Sequence, residues 1–365
     1  MSVRLSIRRP LRLLTTLPVI AGLLLASPSW AAVEHTLGPN GETPTPYTQV
    51  TLSSQDTAAL KSKGFKAAIL MHTSSDFSSA LTAGAKKVFD ELNIQVVAVT
   101  DAEMDPKKQR TDLETVLALK PDLIISLVID PVSGAAAFRQ AADKGVKLVF
   151  ISNAPQGFKV GQDYAGIVTD DLFGMGRAAA EMLASSINNK GDVAVMFHAA
   201  NYYVTNQRDQ AVKTVLSKYP GIKVVTSKGI ANPNDGEMIA SAILTQNPSV
   251  KAIYAPWDAI AEGVTAAARA AGRKDLKVIT MDLGAANALD MVKGGNVAGI
   301  VSDLPYDMGQ TLARMGALSL LKKPTPPFVT VDAIKVTPAN LVDQWQKALY
   351  RKPPEAVVKA LQVRR

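Results

Sequence analysis

From residue 66 to residue 321 short apolar runs alternate with helical segments almost without interruption, and this alternation leaves few folds open. The runs are Lys66–Met71, Gln95–Thr100, Leu123–Ile129, Lys147–Ile151, Gly166–Val168, Asp192–Phe197, Lys223–Ser227, Ala252–Ala255, Lys277–Met281 and Val297–Val301. Between and after them lie Ser78–Leu92, Pro106–Leu119, Val132–Lys144, Leu172–Ile187, Gln207–Tyr219, Asp235–Gln246, Ala259–Ala271, Asn287–Lys293 and Met308–Leu321. Nearly continuous Val/Ile/Leu runs, each followed by a helix, describe parallel strands covered on both faces. Gly145 and Gly272 follow helical stretches as C-caps do, and Pro121 and Pro248 stop others. Ten strands fill one open twisted sheet to its usual limit, so two doubly wound α/β domains are expected, dividing near Thr169. The first takes residues 64–168 and 304–329, and the second 169–303 and 330–350. A final segment, Phe328–Val336, returns across the hinge. Ligands of such sheets bind outside the carboxyl ends of the strands, so two of them facing each other make one cleft.

The N-terminus sets the compartment. Arg4, Arg8, Arg9 and Arg12 precede an apolar stretch, Leu13–Ala26, broken by Thr15, Thr16 and Pro18; Ser29 and Ala31 then offer small side chains to a signal peptidase. Residues 1–31 therefore read as a secretory signal peptide. The competing reading, an uncleaved anchor, is disfavoured because a bilayer needs about 20 apolar residues. No Cys stands near the cleavage region to carry a lipid, so the expected location is the periplasm. Residues 32–63 read as an N-terminal arm, rich in Gly, Pro and Thr up to Pro46, and a short helix over Leu52–Lys63 with Ser53 or Ser54 as N-cap.

Composition narrows the function. There is no Cys, and His35, His72 and His198 are the only histidines, so zinc or thiol chemistry is not expected, nor any metal or cofactor. With a 47% hydrophobic fraction the core must stabilise the exported chain without disulfides. Four of the eight surplus positive charges belong to the leader arginines, and the rest form no basic run, so no nucleic-acid partner is expected. Walker loops, Gly-x-Ser-x-Gly elbows and histidines at metal spacing are all missing. Gly174-Met175-Gly176 lacks dinucleotide spacing and reads as helix packing.

Polar and aromatic residues instead recur directly after strands. They are His72 through Ser75, Asp76 and Phe77 after the first, Asp130 after the third and Ser152-Asn153 after the fourth. His198, with Asn201-Tyr202-Tyr203 and Gln207-Arg208-Asp209, follows the first strand of the second half. Trp257-Asp258, Asp282 and Asp303 then end successive strands. Each alone has an ordinary explanation as a cap or turn residue. As a set in register they suit a polyhydroxylated ligand: carboxylates and amides bond hydroxyls, an arginine donates a fork, and rings cover the C–H face of a sugar.

At these residues the chain resembles the ribose-binding-protein-like, or type I, periplasmic binding proteins, from Phe65 to about Leu349. The resemblance rests on Asp105-Pro106-Lys107-Lys108-Gln109, Asp130-Pro131-Val132-Ser133, Thr169 to Gly176, Asn206-Gln207-Arg208, Met281-Asp282 and Leu304-Pro305-Tyr306-Asp307-Met308-Gly309. It implies two domains joined by three chain crossings and closing on the ligand, with contacts at Ser75, Phe77, Asp130, Arg208, Trp257, Asp282 and Asp303. It also implies a monomer that hands its solute to an ABC permease. The chain departs from the family at Ser75-Asp76-Phe77-Ser78, Ser152-Asn153, Trp257 and Asp303, where the pattern has Asn-Pro-Phe-Phe, Asp-Arg, Asn and Gln. A pentitol, a tetritol, a modified sugar or a ligand carrying an amine thus stays open beside a plain sugar. A sensory module for the same ligand and an enzyme on the same fold are the alternatives. A sugar-responsive regulator would carry a helix-turn-helix where this chain has its leader.

The full set of expected ligand contacts is His72, Ser75, Asp76, Phe77, Asp130, Asn153, Arg208, Trp257, Asp282 and Asp303.

Overall fold

The structure, a computed structural model, describes residues 34–200 and 202–364. The expected leader and Asn201 lie outside the described residues. Thirteen strands are seen among the described residues: β1 (Thr45–Pro46), β2 (Lys66–Met71), β3 (Gln95–Asp101), β4 (Leu123–Ser126), β5 (Lys147–Ile151), β6 (Ile167–Asp170), β7 (Gly191–His198), β8 (Ile222–Ile230), β9 (Val250–Ala255), β10 (Lys277–Met281), β11 (Val297–Ser302), β12 (Phe328–Val331) and β13 (Ile334–Val336). The α-helices are α1 (Ser54–Lys61), α2 (Asp76–Glu91), α3 (Pro106–Ala118), α4 (Pro131–Asp143), α5 (Leu172–Ser186), α6 (Tyr203–Leu216), α7 (Gly236–Gln246), α8 (Asp258–Ala270), α9 (Ala285–Val292), α10 (Pro305–Leu320), α11 (Leu341–Leu349) and α12 (Glu355–Arg364).

Two sheets result, as the alternation requires. The first has the order β1-β12-β6-β5-β4-β2-β3 and is parallel throughout. The second has the order β13-β11-β10-β9-β7-β8, parallel except where β13 runs against β11. Side chains of a strand alternate between its faces, so a strand with helices on both sides needs apolar residues at every position. In β2, Ala67, Ile69 and Met71 enter one buried cluster, while Ala68 and Leu70 enter another on the opposite face. β9 does the same: Ala252 and Tyr254 point one way, Ile253 and Ala255 the other. The chain passes between the lobes after β6, after β11 and after β12, which gives the three crossings.

Three local differences from the sequence expectation have physical causes. The third run was expected to stay a strand to Ile129, but β4 ends at Ser126. Beyond it the buried Gln109 side chain takes over the backbone, donating to Leu127 O at 2.7 Å and accepting from Ile129 N at 3.1 Å. Helix α6 starts at Tyr203 rather than Gln207, which puts Arg208 inside the helix. Of the two glycines in Gly174-Met175-Gly176, only Gly176 packs helices; a Cβ there would lie 2.3 Å from Arg208 O, so α5 and α6 touch backbone to backbone. Gly174 instead sits under the Asp171 carboxylate that caps α5, accepting from Gly174 N at 3.1 Å.

Both ends of the described chain are tied into the lobes. Thr36 is buried, and its hydroxyl accepts from Phe173 N at 2.9 Å and donates to Asp171. Further along, Thr45–Pro46 adds a two-residue edge strand to β12. At the other end, α11 and α12 were not anticipated. Leu341, Trp345, Ala348, Leu349, Val357 and Leu361 are buried in the cluster that also holds Leu312 from α10 and Met291 from α9. Helix α11 is nine residues long, too short to persist alone in water, so this apolar stripe rather than propensity holds it.

Candidate ligand-binding site

The carboxyl ends of both sheets carry the polar residues, and Arg208 joins them. It stands on α6 with its guanidinium buried, 6% exposed as a residue. Nε donates to Asp170 Oδ2 at 2.9 Å and Nη2 to Asp170 Oδ1 at 2.8 Å, a two-pronged bond to the last residue of β6 in the first sheet. Nη1 reaches Asp282 Oδ1 at 3.4 Å, just after β10 in the second. Such forked, charge-assisted pairs are about twice as strong as neutral hydrogen bonds. The chain of bonds continues behind Asp170. Thr169 donates to Asp170 Oδ1 at 3.1 Å, which leaves the Ser152 hydroxyl, 3.0 Å away, as the donor to Thr169.

Backbone geometry aims two of these residues. Asp282 and Ser152 have φ of +65° and +61°, the left-handed region that few residues other than Gly enter. Each is the first residue after its strand, and each N–H is held by the neighbouring strand: Asp282 N donates to Val301 O and Ser152 N to Val168 O. Main-chain bonds thus fix the turn that presents the side chain.

Carboxylates outnumber cations in this region. Asp303, after β11, is 1% exposed, and its Oδ2 has no hydrogen-bond partner. Burial first, and then the nearby Asp282 and Asp170, push its pKa well above the usual carboxylate range, against the pull of Arg208. Asp282 is also raised by burial, with Arg208 opposing. Asp258, at the start of α8, is pushed up to about 7 by burial and by Asp282. Burial works against the charge of Arg208, but Asp170, Asp282 and Asp303 outweigh it and raise its pKa.

An aromatic wall stands beside the carboxylates. His198, at the end of β7, meets Tyr202 edge-on at 5.6 Å and Trp257 at 5.2 Å between ring centres. Its Nδ1 lies 2.9 Å from the Thr205 hydroxyl, and burial lowers its pKa, which keeps the ring neutral. Tyr202 reaches from the second lobe to donate to Val128 O in the first at 2.8 Å. On the first lobe His72 meets Phe77 edge-on at 6.2 Å; burial pushes His72 down to about 4, although Asp101 opposes the shift. Asn153 is 2% exposed, and neither polar atom of its side chain has a partner. A buried polar group without a partner costs about 1–3 kcal/mol, so its presence calls for a reason.

Other sequence-predicted residues hold structure with the same atoms. The Ser75 hydroxyl accepts from Ser78 N and caps α2. Asp130 Oδ1 accepts from Val132 N and Ser133 N at the start of α4. Asp76 stands where the lobes meet: Oδ2 accepts from Ala285 N of the second lobe at 2.9 Å, and Oδ1 accepts from Arg351. Asp170, the partner of Arg208, was not among the expected contacts, although it ends a strand as Asp282 and Asp303 follow theirs; the same positional signal points to it. Asp209 was noted only for its position. It is buried behind the site, accepting from Tyr254 Oη and from His198 N, both at 2.9 Å, and burial pushes it up to about 6. Among the described residues no cluster of His, Cys, Asp and Glu could hold a metal ion, and no helix is long and apolar enough to cross a membrane.

A family model described as a periplasmic binding protein domain matches residues 67–325. The chain belongs to that family. Its relatives include a xylitol-binding protein of Mycolicibacterium smegmatis, 25% identical over 286 residues, 75% of this chain and 80% of that one. A ribose import binding protein of Haemophilus influenzae is 24% identical over 270 residues, 74% of this chain and 87% of that one. Among solved structures, a carbohydrate transporter solute-binding protein of Agrobacterium radiobacter in complex with D-arabinose is 26% identical with a TM-score of 0.68, covering 79% of this chain and 99% of that chain. An ABC transporter solute-binding protein of Agrobacterium vitis, bound to α-D-tagatopyranose, shares the fold at a TM-score of 0.70 and 22% identity, covering 76% of this chain and 96% of that chain. Members of this periplasmic family are binding proteins, and the two-lobed α/β fold is theirs.

Proposed function

We propose that this binding protein captures a small sugar or polyol between its lobes and delivers it, as a monomer and without chemical change, to an ABC permease in the membrane. It reaches the periplasm by the signal peptide over residues 1–31. The observation that carries this reading is the bridge from Asp170 through Arg208 to Asp282, which links the two sheets at their carboxyl ends. Around it Asn153 and Asp303 are buried with polar atoms unpaired, while Trp257, His198, Tyr202 and Phe77 supply ring faces and edges. Hydroxyls satisfy the unpaired atoms, and the rings cover C–H surface.

Function then follows from differential contact. A ligand held by groups of both lobes binds the closed arrangement better than an open one and shifts the population toward it. The permease reads the closed form. Tyr202 to Val128, Arg208 to Asp170 and Asp76 to Ala285 are contacts that closure makes and opening breaks. The test is a thermal-shift screen of the exported chain against pentoses, hexoses and their polyols. A ligand at 100 times its Kd stabilises the native state by about 2.7 kcal/mol, a clear rise in Tm. A folded protein whose Tm is unmoved by the whole panel at millimolar ligand contradicts the reading.

A further inference from the structure

We propose that the solute is a polyhydroxylated compound carrying a cationic amine, received by Asp303 together with Asp282. This rests on the receptor reading above and names the ligand class of that site. The argument is a charge inventory. Asp170 and Asp303 are each 1% exposed, and Asp282 and Asp258 stand beside them. Among the described residues Arg208 is the cation that acts most on Asp303, and its three bonded nitrogens are given to Asp170 and Asp282. Arg351, the cation at the rim, is engaged by Asp76. His72 and His198 are lowered by burial and supply no charge at neutral pH.

Asp303 thus lies beside Asp282 and Asp170 at the carboxyl ends of the strands, with one oxygen unpartnered and, among the described residues, no cation bonded to it. A neutral polyol satisfies that oxygen with a hydroxyl but leaves Asp303 either to keep its proton or to enclose an unpaired charge when the lobes close, and an enclosed unpaired charge is strongly penalised. An ammonium group supplies both the donor and the missing positive charge. Burial and the neighbouring Asp282 and Asp170 raise Asp303 in the empty site, so binding the amine releases its proton. The amine's affinity therefore rises with pH up to the raised value, while that of a neutral ligand does not.

Calorimetric titration of matched pairs tests this: D-glucose against D-glucosamine, and ribitol against 1-amino-1-deoxyribitol, on the exported chain and on Asp303→Asn. The expected result is a preference for one amine of about tenfold or more at pH 7, the margin of a charge-assisted over a neutral hydrogen bond. In Asp303→Asn the ratio within the pair collapses toward one. An amine preference untouched by Asp303→Asn overturns the assignment to Asp303. Neutral members binding as tightly as the amines, or tighter, overturn the inference and leave the receptor reading standing. If no member of either pair binds but the wider panel yields a neutral hit, the inference also fails; if nothing in either set binds, both readings fail. Should Asp303→Asn not fold, titration of the wild type from pH 5 to pH 7 decides. Tighter amine binding with proton release, read in buffers of different ionisation enthalpy, supports the inference, and a flat profile overturns it.

Discussion

Arg208→Ala removes the guanidinium that holds two sheets and two acidic residues, Asp170 and Asp282, together. Asp170 would then stay buried at 1% exposure with both guanidinium donors gone and only the Thr169 hydroxyl left, and Asp282 would lose its partner at 3.4 Å. Removing one member of a buried ion pair costs about 3–5 kcal/mol, because the remaining charge is left uncompensated. That is roughly two to four powers of ten in the folding equilibrium. Urea unfolding followed by circular dichroism at pH 7 measures it. Acid should soften the loss. Without Arg208 the pKa of Asp282 and Asp303 rises further above the unfolded value, so the folded variant binds more protons and gains stability as pH falls. The deficit at pH 5 is thus smaller than at pH 7. Adding Asp170→Asn should recover part of the loss, since the double variant no longer buries an unpaired charge. A deficit below about 1 kcal/mol at pH 7, the value of a surface pair, would refute the reasoning.

Four further outcomes follow from the same geometry. Asp209, raised by burial to about 6 against an ordinary 3.8, contributes stability that is present below pH 4 and lost as pH rises through 6, on the order of 2–3 kcal/mol; urea unfolding at pH 4.5 and 7 should show a smaller drop for Asp209→Asn, and equal drops count against it. Trp345→Ala empties a fully buried site in α11 and should cost about 3–5 kcal/mol, whereas Trp345→Phe costs far less because the indole N–H has no partner to lose; equal costs in urea unfolding would contradict this. Trp257, against His198 at 5.2 Å, should report closure, so a ligand-induced fluorescence change disappears in Trp257→Phe; a change that persists places the reporter elsewhere. Arg351→Ala frees Asp76 at the meeting of the lobes, and stopped-flow dissociation should then speed up several-fold; an unchanged rate means this contact does not hold the closed form.

Much of this molecule was legible in its sequence because parallel strands buried on both faces need unbroken apolar runs. Lys66–Met71, Lys147–Ile151 and Lys277–Met281 are strands with the expected ends. The bounds failed where a side chain replaced the ladder, as Gln109 does beyond Ser126. The two-residue strand at Thr45–Pro46 and the C-terminal helices went unread, since neither has a local signal: the first exists only through its pairing with β12, the second only through burial of Leu341 and Trp345. Within the candidate site, position after a strand marked Asp282, Asp303 and Trp257. It did not separate them from Ser75 and Asp130, whose acceptor atoms turn out to cap helices. Pairing across lobes is invisible to a linear reading, which is why Asp170 was passed over as the partner of Arg208.

The central claim is that solute binds between the carboxyl ends of the two sheets, and titration of the thermal-shift hit into wild type and Asp282→Ala tests it most directly. Asp282 is held in place by the backbone bond to Val301, and without its carboxylate Arg208 keeps both of its bonds to Asp170. A carboxylate accepting charge-assisted or paired hydroxyl bonds is worth about 1.5–3 kcal/mol per bond, so Kd should weaken by about tenfold to a hundredfold or more while the variant stays folded. A Kd equal to that of the wild type would place the solute elsewhere on the protein.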